Sequence, residues 1–173
     1  SGTGWWNVRG RPHGGKQKRL TRSDWTGAAR QGLEGGGLSA VAVEPLAAML
    51  GATKGSFYWH FPDREALIAA TLELWEYQET DTVITALAAL TEPAERLKAL
   101  IARVFDNRHP TDLSITLFAD TSHELVANSL ERVTRRRIGY LAEQFHALGS
   151  PHAAARHKAT LTYATFLGLA QPR

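Results

Sequence analysis

Residues 43–61 leave room for two short helices and one tight turn, and that constraint organises the rest of the chain. Val43, Leu46, Ala47 and Leu50 fall at i, i+3, i+4 and i+7, so they share one face of a helix. Pro45 lies in its first turn, where the N–H it lacks would have no intrahelical partner. Gly51 follows directly and suits the left-handed conformation that closes a helix. Thr53 is placed to cap a second helix starting at Lys54, Phe57 to turn inward from it, and Phe61-Pro62 to stop it. Two short helices joined across a glycine turn are the helix-turn-helix pattern.

The outer face of the second helix carries Thr53, Lys54, Ser56, Tyr58, Trp59 and His60, with little aliphatic stripe among them. A helix used only for packing has no need of so many hydrogen-bonding tips. One that enters a DNA major groove does, because its first residues meet base edges while hydroxyls and cations meet phosphates. Gly55 leaves room for another backbone to come close. Lys54 and Ser56 are expected at bases or phosphates, Tyr58 and His60 at phosphates, and Trp59 on a sugar or a thymine methyl. A short polar surface helix is the plain alternative, but it leaves the agreement of turn, cap and core positions unexplained.

The run Thr53-Lys54-Gly55-Ser56-Phe57-Tyr58-Trp59-His60-Phe61-Pro62-Asp63-Arg64-Glu65-Ala66-Leu67 resembles the signature of the TetR-type transcriptional regulators. Leu46-Ala47 with Leu50-Gly51 resembles the preceding helix of that family. The resemblance covers residues 20–67; beyond it the chain matches only in length and helical pattern. It implies an all-α homodimer with an N-terminal three-helix helix-turn-helix DNA-binding domain for double-stranded operator DNA. A helical ligand-binding and dimerisation domain would follow, with a pocket for a small-molecule effector. It further implies phosphate contacts from Arg64, and from Thr21 and Arg22 at the start of the first helix. One position departs from the family: Ala42 stands where Ser or Thr commonly caps the second helix. A lost cap typically costs about 1 kcal/mol, and Ser39 is the nearest hydroxyl that could compensate.

Charge is distributed in keeping with this division. Residues 1–22 hold six basic side chains and no acidic one, residues 1–62 carry a net +5, and the remainder carries −2. A basic N-terminal third on a slightly acidic body suits a nucleic-acid-binding module with a separate second domain. Residues 1–19 read as a basic arm. Within it Arg9-Gly10-Arg11-Pro12 resembles an AT-hook core, whose arginines suit a narrow minor groove. Trp5-Trp6 has no evident partner. The DNA-binding domain is expected over residues 20–66 and the regulatory and dimerisation domain over 67–173.

Thr21 and Asp24 suggest a capping box for a first helix over residues 21–35, with Trp25, Ala28, Ala29, Gly32 and Leu33 inward. A long helix is expected from Asp63 to about residue 89, with Leu67, Ala70, Leu74, Gln78 and Asp81 along one face. Helices over 92–107, 111–120 and 121–148 follow, the first with Leu97, Leu100, Ile101, Val104 and Phe105 inward and broken by His109-Pro110. Arg135-Arg136-Arg137 reads as a mostly solvated run. In the last helix Thr160, Ala164 and Gly168 recur every four residues, a spacing that lets another helix approach. The last two helices are therefore expected to pair with their symmetry mates as a four-helix interface. Trp75, Phe105, Phe118 and Phe145 are the candidates for lining an apolar or aromatic effector pocket, with plain core as the alternative.

Other chemistries find little support. Gly10 to Lys16 matches a phosphate-loop spacing by count, but Gln17 stands where Ser or Thr is needed and Pro12 interrupts it. His123-Glu124 begins a zinc-protease pattern that Ala127 ends. His152 and His157 are five apart with no nearby carboxylate, a poor metal spacing, so neither metal nor cofactor is expected. No cysteine occurs, and no apolar run approaches a bilayer span. A cytoplasmic, non-enzymatic DNA-binding regulator, most simply a repressor, is the expectation. A helical interaction module, or a small enzyme, that has lost operator binding is the alternative.

Overall fold

The computed structural model describes residues 19–106 and 112–170. The basic arm with its AT-hook-like run and Trp5-Trp6, and the His109-Pro110 break, lie outside the described residues. Among those described, every regular element is helical, and no helix is long and apolar enough to cross a membrane.

Helix α1 spans Arg22–Gly36. Thr21 caps it, and Asp24 completes the capping box by accepting from the Thr21 N–H at 2.7 Å. Trp25, Ala29 and Leu33 are fully enclosed. A single 3-10 turn, Leu38–Ala40, leads to α2, Val43–Leu50. Ala42 starts α2 with no side-chain cap, and the Ser39 hydroxyl is committed to the Gly36 carbonyl at 3.1 Å, so it does not compensate. Gly51 closes α2 in the left-handed conformation, φ 62°. Thr53 then caps α3, Lys54–His60, by accepting from the Ser56 N–H.

Asp63 caps α4, Arg64–Glu76. The chain continues through a π-helical turn, Tyr77–Asp81, into α5, Thr82–Leu87. That wide turn corrects the expected face. Leu67, Ile68, Ala70, Leu72 and Trp75 are buried, but Gln78 is exposed and Thr80 is buried in its place. A π turn holds an additional residue per hydrogen-bonded loop, so a 3.6-residue stripe loses phase there.

Helix α6, Pro93–Phe105, contains no buried residue. Its expected inward face is a second correction: Ile101 is 51% and Phe105 63% exposed, because that face borders a cavity and not a packed layer. Short α7, Leu113–Phe118, precedes α8, Glu124–Ala147, and α9, His152–Leu169. Helices α8 and α9 pack along each other around Leu141, Ala159 and Tyr163. A larger core joins Trp25, Leu46 and Phe57 to Trp75, Leu117, Val126 and Val133, so the helix-turn-helix and the helices beyond it share one apolar interior.

Candidate nucleic-acid interface

Two aromatic anchors set α3 at the surface. Phe57 and Phe61, both about fully enclosed, stack 5.5 Å apart, and Trp25 meets Phe57 edge-on at 5.4 Å. With its inner face fixed, α3 turns Tyr58 and Trp59 outward, 56% and 74% exposed. Tyr58 meets Phe57 edge-on at 5.1 Å, yet most of both outward rings remains in water. The Arg19 guanidinium lies over the Trp59 ring at 5.5 Å and Arg22 over Phe61 at 4.5 Å, adding positive charge to the same rim. Thr53, Lys54 and Gly55 are exposed at the helix start, with Ser56 half-buried.

Several expected contact residues already have intrachain partners. Lys54 forms an ion pair with Glu44 of α2. Their hydrogen bond and mutual attraction hold the Glu44 carboxyl below and the Lys54 ammonium above their ordinary ranges. The pair is fully solvated, and lysine can exchange such a partner for a phosphate at little cost. His60 meets the Leu20 carbonyl through Nε2 at 3.0 Å, tying α3 to the segment entering α1. Arg64 donates from Nε to the Val41 carbonyl at 2.7 Å and from Nη2 to the Leu38 carbonyl at 2.9 Å. It braces the turn between α1 and α2 from within, a role that its charge alone did not suggest.

Behind this surface lies a cavity of about 820 Å³. Its wall is formed by α5, α6, α8, α9, the π turn, Arg30 and Glu34 of α1, and Asp112 and Leu113 at the start of α7. Of the four expected lining aromatics, Phe105 and Phe145 are there. Trp75 is instead enclosed in the core beneath the cavity, with the Arg137 guanidinium 5.9 Å from its ring. Phe118 stands on the short α7, 43% exposed and outside the wall.

The solvated reading of the arginine run holds for Arg135 and Arg136, which reach Glu131 and Asp81 at the surface. It fails for Arg137, whose side chain is only 13% exposed. Arg137 donates to Asp112 at 2.9 Å, to Thr80 at 3.0 Å and to the Tyr163 hydroxyl at 3.4 Å. Burial alone would lower its pKa; Asp112 and Tyr163 more than offset that and raise it. The periodicity contained the signal: Arg137 stands four residues after Val133 and four before Leu141, in the buried stripe of α8.

Polar links join the helix-turn-helix to the helices around the cavity. Arg30 of α1 bonds Glu79 of the π turn at 2.8 Å. The Leu38 N–H donates to Asp120 at 3.0 Å, and His123 meets Glu65 at 3.1 Å.

This arrangement defines a helix-turn-helix DNA-binding protein with a helical second domain. Residues 26–71 match the model of the bacterial regulatory proteins of the tetR family, a likeness that spans the helix-turn-helix and the first half of α4. The fold is shared over most of its length with solved regulators. Escherichia coli NemR in its reduced form superposes with a TM-score of 0.75 at 21% identity, over 86% of this chain and 84% of that one. A TetR-family regulator from Agrobacterium tumefaciens gives 0.73 at 22%, over 86% and 84%. A TetR regulator from Legionella pneumophila gives 0.74 at 15%, over 87% and 85%. No curated protein sequence matches the chain.

Proposed function

We propose that this chain is a cytoplasmic, ligand-responsive repressor that holds a palindromic operator as a homodimer and leaves it when a small molecule fills the cavity. The observation that carries the reading is α3: a capped helix whose inner rings are locked in the core while Tyr58 and Trp59 stand in solvent beside exposed Thr53, Lys54 and Gly55. In this reading residues 20–66 bind DNA and residues 67–173 regulate. Two copies of α3 lie in successive major grooves, roughly 34–36 Å apart. Lys54 leaves Glu44 for a phosphate, Ser56 reaches a base or phosphate, and Tyr58 holds a phosphate. His60 acts by fixing the angle of α3, and Arg64 by bracing the turn before α2.

The exposed face of α9 supports self-association. Thr160, Ala164 and Gly168 lie exposed along it outside the cavity, with Leu161, Thr165 and Leu169 exposed beside them in the cavity wall, although the helix's other side packs on α8. An apolar face of small and aliphatic residues suits an isologous interface. The cavity is open enough and apolar enough for an effector. Because the sequence has no cysteine, thiol chemistry within these residues has no part in the response.

The test is footprinting on the DNA flanking the protein's own gene. Protection of an inverted repeat is expected, with affinity falling steeply as salt rises. Lys54→Ala should weaken that binding and reduce the slope of log K against log salt by about 0.9, one phosphate contact. No protected site at low ionic strength would end the reading. An unchanged slope would remove Lys54 from it.

A further inference from the structure

Among the described residues, seven charged side chains line the cavity, Asp106 among them, and none is without a partner. Arg30 holds Glu34 at 2.7 Å and Glu79 at 2.8 Å, and Arg137 holds Asp112 at 2.9 Å. Arg103 approaches Glu79 from the other side at 3.9 Å. All six of these side chains line the cavity. An entering anion would compete for a guanidinium that a carboxylate already holds, and an entering cation would have to draw a carboxylate off its arginine. Either leaves a partly buried charge unmatched, which is costly. A neutral molecule disturbs none of the pairs.

Two phenol hydroxyls in the same wall have no acceptor for their protons among the described residues. The Tyr163 hydroxyl accepts from Arg137 at 3.4 Å, and its own O–H has no acceptor among the described residues. The Tyr140 hydroxyl is buried with no partner among the described residues. Burial also holds its pKa above the ordinary phenol range, so it keeps its proton. A phenol donates one hydrogen bond, and a buried donor left unmatched is an unfavourable state that an incoming acceptor relieves. Leu97, Leu100, Val104, Phe105 and Phe166 make the wall around these groups apolar.

We propose that the cavity takes a neutral, largely apolar molecule bearing a carbonyl, ether or hydroxyl oxygen, which accepts hydrogen bonds from Tyr140 and Tyr163. This rests on reading the cavity as the effector site.

The experiment is a fluorescence titration of the full chain with four probes on one skeleton: pyrene, 1-pyrenemethanol, 1-pyrenecarboxylate and 1-pyrenemethylammonium. The neutral alcohol is expected to bind at least tenfold tighter than either charged probe. Tyr140→Phe and Tyr163→Phe should each weaken the alcohol several-fold and leave pyrene unchanged, so that pyrene reports an intact cavity. Leu100→Trp should abolish binding of both. A charged probe that binds as tightly as the alcohol overturns the proposal. So does an equal loss of pyrene and alcohol in both tyrosine variants, binding that survives Leu100→Trp, or no binding of any probe up to its solubility. The effector reading fails separately: the expected order of probes, with operator affinity unchanged at saturating alcohol, would sink that reading and leave the ligand class standing.

Discussion

At Gly55 a β-carbon would meet only the Thr53 hydroxyl, 3.7 Å away, so nothing inside the molecule requires glycine there. Gly55→Ala should therefore leave folding intact and raise stability by up to about 1 kcal/mol, the helix-propensity difference. If a DNA backbone comes close at this point, the same change should weaken operator binding at least tenfold. Urea unfolding and a binding titration on one sample separate the two effects, and unchanged affinity would remove the close approach. Arg64 presents the opposite case. Its two bonds satisfy the Leu38 and Val41 carbonyls, and losing hydrogen bonds to a charged donor costs about 1.5–3 kcal/mol. Arg64→Ala is expected to lower unfolding stability by about that much. A stability equal to the parent's would return Arg64 to a purely external role. At this scale the sequence was readable wherever a residue's job is local. Thr21, Thr53 and Asp63 cap, and Gly51 turns, because caps and turns are contacts between near neighbours. The partners of Arg64 and Arg137 were not readable in the same way, because they lie more than twenty residues away.

Among the elements, the starts of α1, α3 and α4 and the ends of α1, α2 and α3 were legible nearly to the residue, since a cap marks each of those starts and a glycine or a stop each of those ends. The π turn Tyr77–Asp81 was not. No cap or glycine marks it, and it is recognised only by what it gathers: Glu79 reaches Arg30 and Arg103, Thr80 reaches Arg137, and Asp81 reaches Arg136. Such turns are often found at functional sites. Here one lies between the cavity and α1, with the Arg30–Glu79 pair in the cavity wall itself. Coupling between an effector and DNA requires an element whose state both of them bias. Glu79→Gln should leave cavity binding within about threefold. It should shrink the effector-induced loss of operator affinity, where couplings of this kind are typically about 1–3 kcal/mol. Equal coupling in the variant and the parent would assign the link to the Leu38–Asp120 or His123–Glu65 contacts instead. Helix α6 was legible as a helix but not as a cavity wall, because an apolar stripe looks the same whether it faces side chains or a void.

For the whole molecule, the governing question is what covers α9. Leu161 and Leu169 are 69% and 63% exposed, and burying such side chains is worth about 1.5–3 kcal/mol each. Leu161→Glu should shift sedimentation from dimer to monomer and weaken operator binding, while the circular dichroism stays helical. A monomeric parent would refute the interface before any variant is made. Leu161 and Leu169 also belong to the cavity wall, so the proposed dimer face and the proposed ligand site share one helix. Occupancy and assembly are then thermodynamically linked. Diluting the protein at fixed ligand should alter its apparent dissociation constant, and the cell's copy number becomes a setting of the sensor's threshold.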